Sequence, residues 1–156
     1  MNLQALCRNP IHLASFGFGS GLSPKAPGTF GTLMAVPLWL GLSQLELPFY
    51  VAVLAVTFLF GVFCCGYTAK AMGVHDHGSI VWDEFVGFWI TMIAVPAEPL
   101  WVIAGFALFR LFDIAKPWPI KWLDKKVHGG FGIMIDDVLA GVFAAVILQL
   151  ALFYIA

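Results

Sequence analysis

The 156 residues are 61% apolar and 11% charged, with a mean hydropathy of +0.92, whereas soluble domains carry about 25% charge. A net charge of −1 gives no basic footprint for nucleic acid, and the length allows one domain covering 1–156. So much apolar surface exceeds what one core of this size can hide, so lipid is the expected solvent for the remainder.

Residues 1–29 are rich in Gly, Ser and Pro and carry no secretory-leader pattern. A short interfacial helix is expected over Asn2 to Phe16, then a glycine-proline loop. Five apolar runs follow: Phe30–Leu45, Pro48–Tyr67, Ile80–Val95, Leu100–Ile114 and Ile135–Ala156. In lipid such runs must be helices, because nothing else satisfies their backbone groups. The prediction is an all-α, polytopic membrane helix bundle with about 4–5 spanning helices. Cys7, Cys64 and Cys65 are odd in number and lack metal-site spacing, and the buried-looking pair reads as small hydrophobes.

Charge orients the bundle. With five crossings, residues 1–29, 68–79 and 110–135 share one side, and all eight Lys and Arg fall there. The other side receives Glu46 and Glu98. The positive-inside rule makes the first side cytoplasmic and puts the C-terminus outside.

The polar chemistry gathers on that face. Asp83-Glu84 and Asp136-Asp137 each open an apolar run, where the positive end of a helix dipole favours carboxylates. Capping explains one acid, whereas two adjacent acids in each of two helices exceed that need. An ionised group at membrane depth costs about 2.5–3.5 kcal/mol, which marks it as a functional candidate. Four carboxylates (Asp83, Glu84, Asp136, Asp137) suit a hard divalent cation such as Mg²⁺. Arg110 and Asp113 are three apart and share a helical face, and Lys116 follows just before Pro117. Arg110 and Lys116 are placed to meet a phosphate. Lys121, Lys125 and Lys126, flanked by Trp118 and Trp122, read as surface anchors. Lys25 and Thr29 flank a glycine-proline approach to a helix, where Thr29 is the expected N-cap and free N–H groups can take phosphate oxygens. The motif His75-Asp76-His77 could coordinate a metal, although a solvated loop fits it better.

Four stretches together carry a resemblance: Pro24-Lys-Ala-Pro-Gly-Thr-Phe-Gly31, Ile80-Val-Trp-Asp-Glu-Phe-Val-Gly87, Phe109-Arg-Leu-Phe-Asp-Ile-Ala-Lys-Pro-Trp-Pro119, and Gly129-Gly-Phe-Gly-Ile-Met-Ile-Asp-Asp-Val-Leu-Ala-Gly141. In this order they resemble the bacterial phosphatidylglycerophosphatase A family across nearly the whole chain. The resemblance implies a Mg²⁺-dependent phosphatase of the inner membrane, releasing phosphatidylglycerol and inorganic phosphate from phosphatidylglycerophosphate. It further implies that Glu84, Asp136, Asp137 and Asp83 hold the metal. Arg110, Lys116, Lys25 and Thr29 would meet the phosphate, and Asp113 would orient Arg110 or join the metal shell. The Asp-x-Asp-x-Thr pattern of aspartyl-phosphate enzymes is absent, which favours water as the nucleophile. The rival class is a small ion or metal transporter with a carboxylate-lined path. It needs acids near the midplane or on both faces. Nothing in the sequence sets the oligomeric state.

Overall fold

A computed structural model describes residues 3–74 and 77–155. His75 and Asp76 of the candidate histidine motif lie outside the described residues, as do Asn2 and Ala156. The described residues form helices and connections without a strand: α1 (Leu3–Leu6), α2 (Pro10–Ser15), a 3₁₀ turn (Ser20–Leu22), α3 (Pro27–Leu42), α4 (Leu47–Met72), α5 (Trp82–Thr91), α6 (Pro99–Ala115), α7 (Ile120–Lys126) and α8 (Gly129–Ile155).

The expected N-terminal helix is two pieces, because Asn9 turns the chain and caps α2, its side chain accepting from the Ile11 N–H at 2.9 Å. This segment is anchored inward. His12 and Ser15 are buried, with the His12 ring 2.8 Å from the Thr68 hydroxyl. Ser15 donates to the Cys64 carbonyl at 2.8 Å, so α2 is tied to α4 by a buried polar chain.

Two helices, α4 with 26 residues and α8 with 27, are long and apolar enough to cross a membrane. At about 1.5 Å per residue they exceed the ~30 Å of bilayer hydrocarbon. Only 22% of the most apolar window of either is buried, unlike the core helix of a soluble protein. α3 is apolar but has 16 residues, starting early because Pro27 takes its first turn.

The third apolar run departs most from expectation. It forms a helix of ten residues, all buried except Ile90, and about 15 Å is half a crossing. α5 sits at the centre, packed by α3, α4, α6 and α8. Two indoles suspend it: the Trp82 N–H donates to the Thr57 carbonyl on α4 at 3.0 Å, and the Trp89 N–H to the Ala35 carbonyl on α3 at 3.1 Å. Orphan carbonyls at its end are met by side chains: the Tyr50 hydroxyl donates to Trp89, and the Gln149 amide to Ile93 at 2.8 Å. A short helix in apolar surroundings survives because its neighbours complete its hydrogen bonds.

Candidate active site: an acid cluster beside two cations

α5 presents Asp83 and Glu84 in its first turn, where unsatisfied N–H groups and the dipole favour negative charge. α8 carries the other pair differently. It begins at Gly129 and has no acid in its first turn, so Asp136 and Asp137 lie two turns in. Dipole capping therefore accounts for the first pair and cannot account for the second.

What brings the pairs together is a glycine crossing one turn below them. A Cβ on Gly141 would stand 2.4 Å from the Gly87 carbonyl, and one on Gly87 would stand 2.8 Å from the Asp137 carbonyl. With both positions bare, the backbones of α5 and α8 approach as small residues allow in membrane helix pairs. One carboxylate oxygen from each of Asp83, Glu84 and Asp137 then lies within 4.8 Å of the other two. Asp137 is 2% exposed, and its Oδ2 has no hydrogen-bond partner among the described residues.

Asp136, expected beside Asp137, points elsewhere. Consecutive helical residues diverge by about 100°, and Asp136 meets Lys116 Nζ at 3.9 Å instead of joining the three acids. α6 supplies the other cation. Arg110 pairs with Asp113 one turn on and lies 3.9 Å from Glu84. Lys116 stops α6 in a left-handed conformation, φ 48°, and is followed by a proline that cannot continue the helix. Burial alone would lower the Lys116 pKa, but the nearby carboxylates Asp137, Asp113, Asp136 and Asp124 outweigh it, so the ammonium is held above its ordinary value and stays charged.

Asp83, Glu84, Asp113, Asp137, Arg110 and Lys116 line one cavity of about 250 Å³, which Pro27, Gly28, His77, Gly78, Ile80 and Ile114 complete; Asp136 lies outside its lining. Gly28 is its floor: a Cβ there would stand 3.0 Å from Arg110 Nη1 and 3.1 Å from Glu84 Oε1. The expected phosphate contacts divide. Arg110 and Lys116 line the cavity, whereas Lys25 and Thr29 do not. Thr29 is also not the N-cap, because α3 starts at Pro27 behind a left-handed Ala26, making Thr29 the third helical residue. His77, weighed as a metal ligand but expected in a solvated loop, lines the cavity, its Nδ1 accepting from the Ser79 N–H at 3.1 Å.

The donor set fits a hard divalent cation. Four carboxylates (Asp83, Glu84, Asp113, Asp137) and two cations (Arg110, Lys116) line the cavity, and oxygens of three of the acids crowd within 4.8 Å of one another. A phosphate dianion could not enter without a compensating cation.

The profile of the family described as phosphatidylglycerophosphatase A matches residues 13–152. The phosphatidylglycerophosphatase A of Escherichia coli K12 is 57% identical over 141 residues, which cover 90% of this chain and 82% of that protein. The phosphatidylglycerophosphatase A of Haemophilus influenzae is 52% identical over 141 residues, covering 89% and 86% respectively. No solved structure matches the chain.

Proposed function

Because the chain belongs to the phosphatidylglycerophosphatase A family, we propose that it removes the terminal phosphate of phosphatidylglycerophosphate, giving phosphatidylglycerol and inorganic phosphate in phospholipid synthesis, with Mg²⁺ as cofactor. The observation that supports this most is the single cavity in which Asp83, Glu84 and Asp137 stand opposite Arg110 and Lys116. The family, not the geometry, separates this reading from a carboxylate-lined ion path.

Asp83, Glu84 and Asp137 would hold Mg²⁺, which supplies charge neutralisation at the phosphate and a more acidic bound water. The chain's own groups do the rest. Arg110 grips the phosphate through its planar fork, and Asp113 fixes the plane of that fork. Lys116 adds a second positive charge where the transferring group spreads its negative charge. Asp136 keeps Lys116 turned to the cavity rather than to solvent. Bare Gly28 lets the phosphate approach close to the start of α3. Water attacks phosphorus, the bond to the glycerol oxygen breaks, and that oxygen takes up a proton.

The cavity belongs at the cytoplasmic face of the inner membrane, where the eight Lys and Arg collect. Five passages complete the bundle: α3, α4, α6 and α8, with the buried α5 and the connection 92–98, exposed at positions 94 and 96–98, making the fifth. The test is phosphate release from purified, detergent-solubilised protein supplied with phosphatidylglycerophosphate, with Mg²⁺ and after chelation. Release that needs the metal is expected; equal release after chelation would remove Mg²⁺ from the reading.

A further inference from the structure

Away from the acid cluster, a hollow of about 330 Å³ runs between α3 and α6, walled by Leu33, Val36, Val102, Ile103, Phe106 and Ala107. No polar side chain lines it. Its placement sets it apart from the other apolar surface. Positions 29, 33 and 36 share one stripe of α3, and positions 103, 106, 107 and 110 share one stripe of α6. The α6 stripe therefore ends on Arg110, which borders the phosphate cavity, and the α3 stripe begins one residue beyond Gly28, which borders it too. The same two helices wall the phosphate cavity, where Gly28 lies against Arg110, so hollow and cavity are stacked along one helix pair. From Arg110 to Val102 is about 12 Å, most of the ~15 Å depth of one leaflet's hydrocarbon.

We propose that this groove seats one acyl chain of the lipid whose phosphate lies against Arg110. The inference rests on the lipid-phosphatase reading and adds where the rest of the substrate goes. Bilayer tails are as apolar as these side chains, so moving a chain from lipid to groove yields no hydrophobic gain. What the groove supplies is shape. A chain held between two helices fixes the rotation and depth of the headgroup, and orientation is worth far more to a reaction than loose encounter. The groove thus selects membrane-resident phosphate monoesters over soluble ones through turnover efficiency.

The test fills the groove. Ala107→Trp and Val36→Trp put a large apolar side chain into it. Ala52→Trp does the same in an apolar hollow on α4, walled by Leu45, Phe49, Ala52, Val53 and Val56, to which neither α3 nor α6 contributes a lining residue. Purified full-length protein with Mg²⁺ is assayed on long-chain phosphatidylglycerophosphate and on a short-chain, water-soluble diacyl analogue. Ala107→Trp and Val36→Trp are expected to lower kcat/KM for the long-chain substrate about 10- to 100-fold. The short-chain value and the Mg²⁺ midpoint should stay at those of the unaltered protein, and Ala52→Trp should change neither. Unchanged long-chain turnover, or equal losses on both substrates, would overturn the groove while leaving the phosphatase reading intact. An unaltered protein that releases phosphate from neither substrate would overturn both.

Discussion

The two acid pairs look alike in sequence, each followed within one turn by a glycine, yet they are built into opposite kinds of helix. Asp83-Glu84 sits in the first turn of α5, ten residues long and buried on nearly every side. Asp136-Asp137 sits two turns inside α8, 27 residues long and largely open to its surroundings. At a helix start both acids can turn inward, because loose backbone N–H groups and the dipole compensate them. In mid-helix that help is absent. Only Asp137 reaches the cluster, while its neighbour takes a lysine as partner. Like motifs thus divide their labour according to depth in the helix.

The strongest way to break this comparison is Asp137→Asn. Residues one step removed from a metal already cost about 10- to 100-fold in affinity or activity when changed, so loss of a direct ligand should exceed about 100-fold in Mg²⁺-dependent phosphate release. Protein should still accumulate in the membrane. Near-normal turnover would take Asp137 out of the site.

Next comes the crossing that joins the pairs. Gly141→Ala places a methyl 2.4 Å from the Gly87 carbonyl, which must force α5 and α8 apart at a cost of about 1–3 kcal/mol. Thermal unfolding should show that loss, and the Mg²⁺ midpoint should rise as the carboxylates separate. A variant with lower stability and an unmoved midpoint would show that the cluster forms without the glycine contact.

Asp136→Asn sharpens the division. Losing a partly buried ion pair should raise KM about tenfold or less while leaving the Mg²⁺ midpoint in place. Lys116→Met should cost more, because it also removes the positive charge facing the phosphate, and the double variant should cost less than the sum, since both remove one ion pair. A shifted midpoint in Asp136→Asn would return that residue to the metal shell.

The smallest effect lies outside the site. Burial lowers the His12 pKa from its ordinary 6.5, so the folded state favours the neutral ring. The unfolded chain takes up a proton first as pH falls, so stability is intact above about 6.5 and declines below it towards the folded value. Unfolding temperatures between pH 7.5 and 5 should fall on the acid side, and His12→Gln should flatten part of that slope.

Much of this was open to reading from the chain, and the failures have physical causes. The acids Asp83, Glu84 and Asp137, whose oxygens the fold brings together, stand out in the chain because charge in lipid is costly and leaves few reasons for acids to be there. The start of α8 was hidden because Gly129-Gly130-Phe131-Gly132 resembles a loop. It is helical because a bare Gly130 lets α8 lie against α4, where a Cβ would stand 1.9 Å from the Val62 carbonyl. Thr29 looked like a cap since its residue type favours one, but Pro27 begins the helix sooner. His77 stands out in the chain only as part of a histidine motif that reads better as a solvated loop; the fold is what brings residues 77 and 78 to the cavity. The brevity of α5 was unreadable for a similar reason. Its stop at Met92 depends on Tyr50 and Gln149, which are distant in sequence and complete its backbone bonds.

That brevity also dictates the order of biogenesis. A segment of ten residues with two acids at its head is a poor substrate for insertion by itself, and α8, which forms much of its wall, is synthesised after it. α5 should therefore wait near the headgroups and sink inward only after α8 arrives, so the acid cluster cannot close before α8 is in place. Nascent chains arrested before α8 emerges should leave α5 open to water-soluble labels, protected only once α8 is in place.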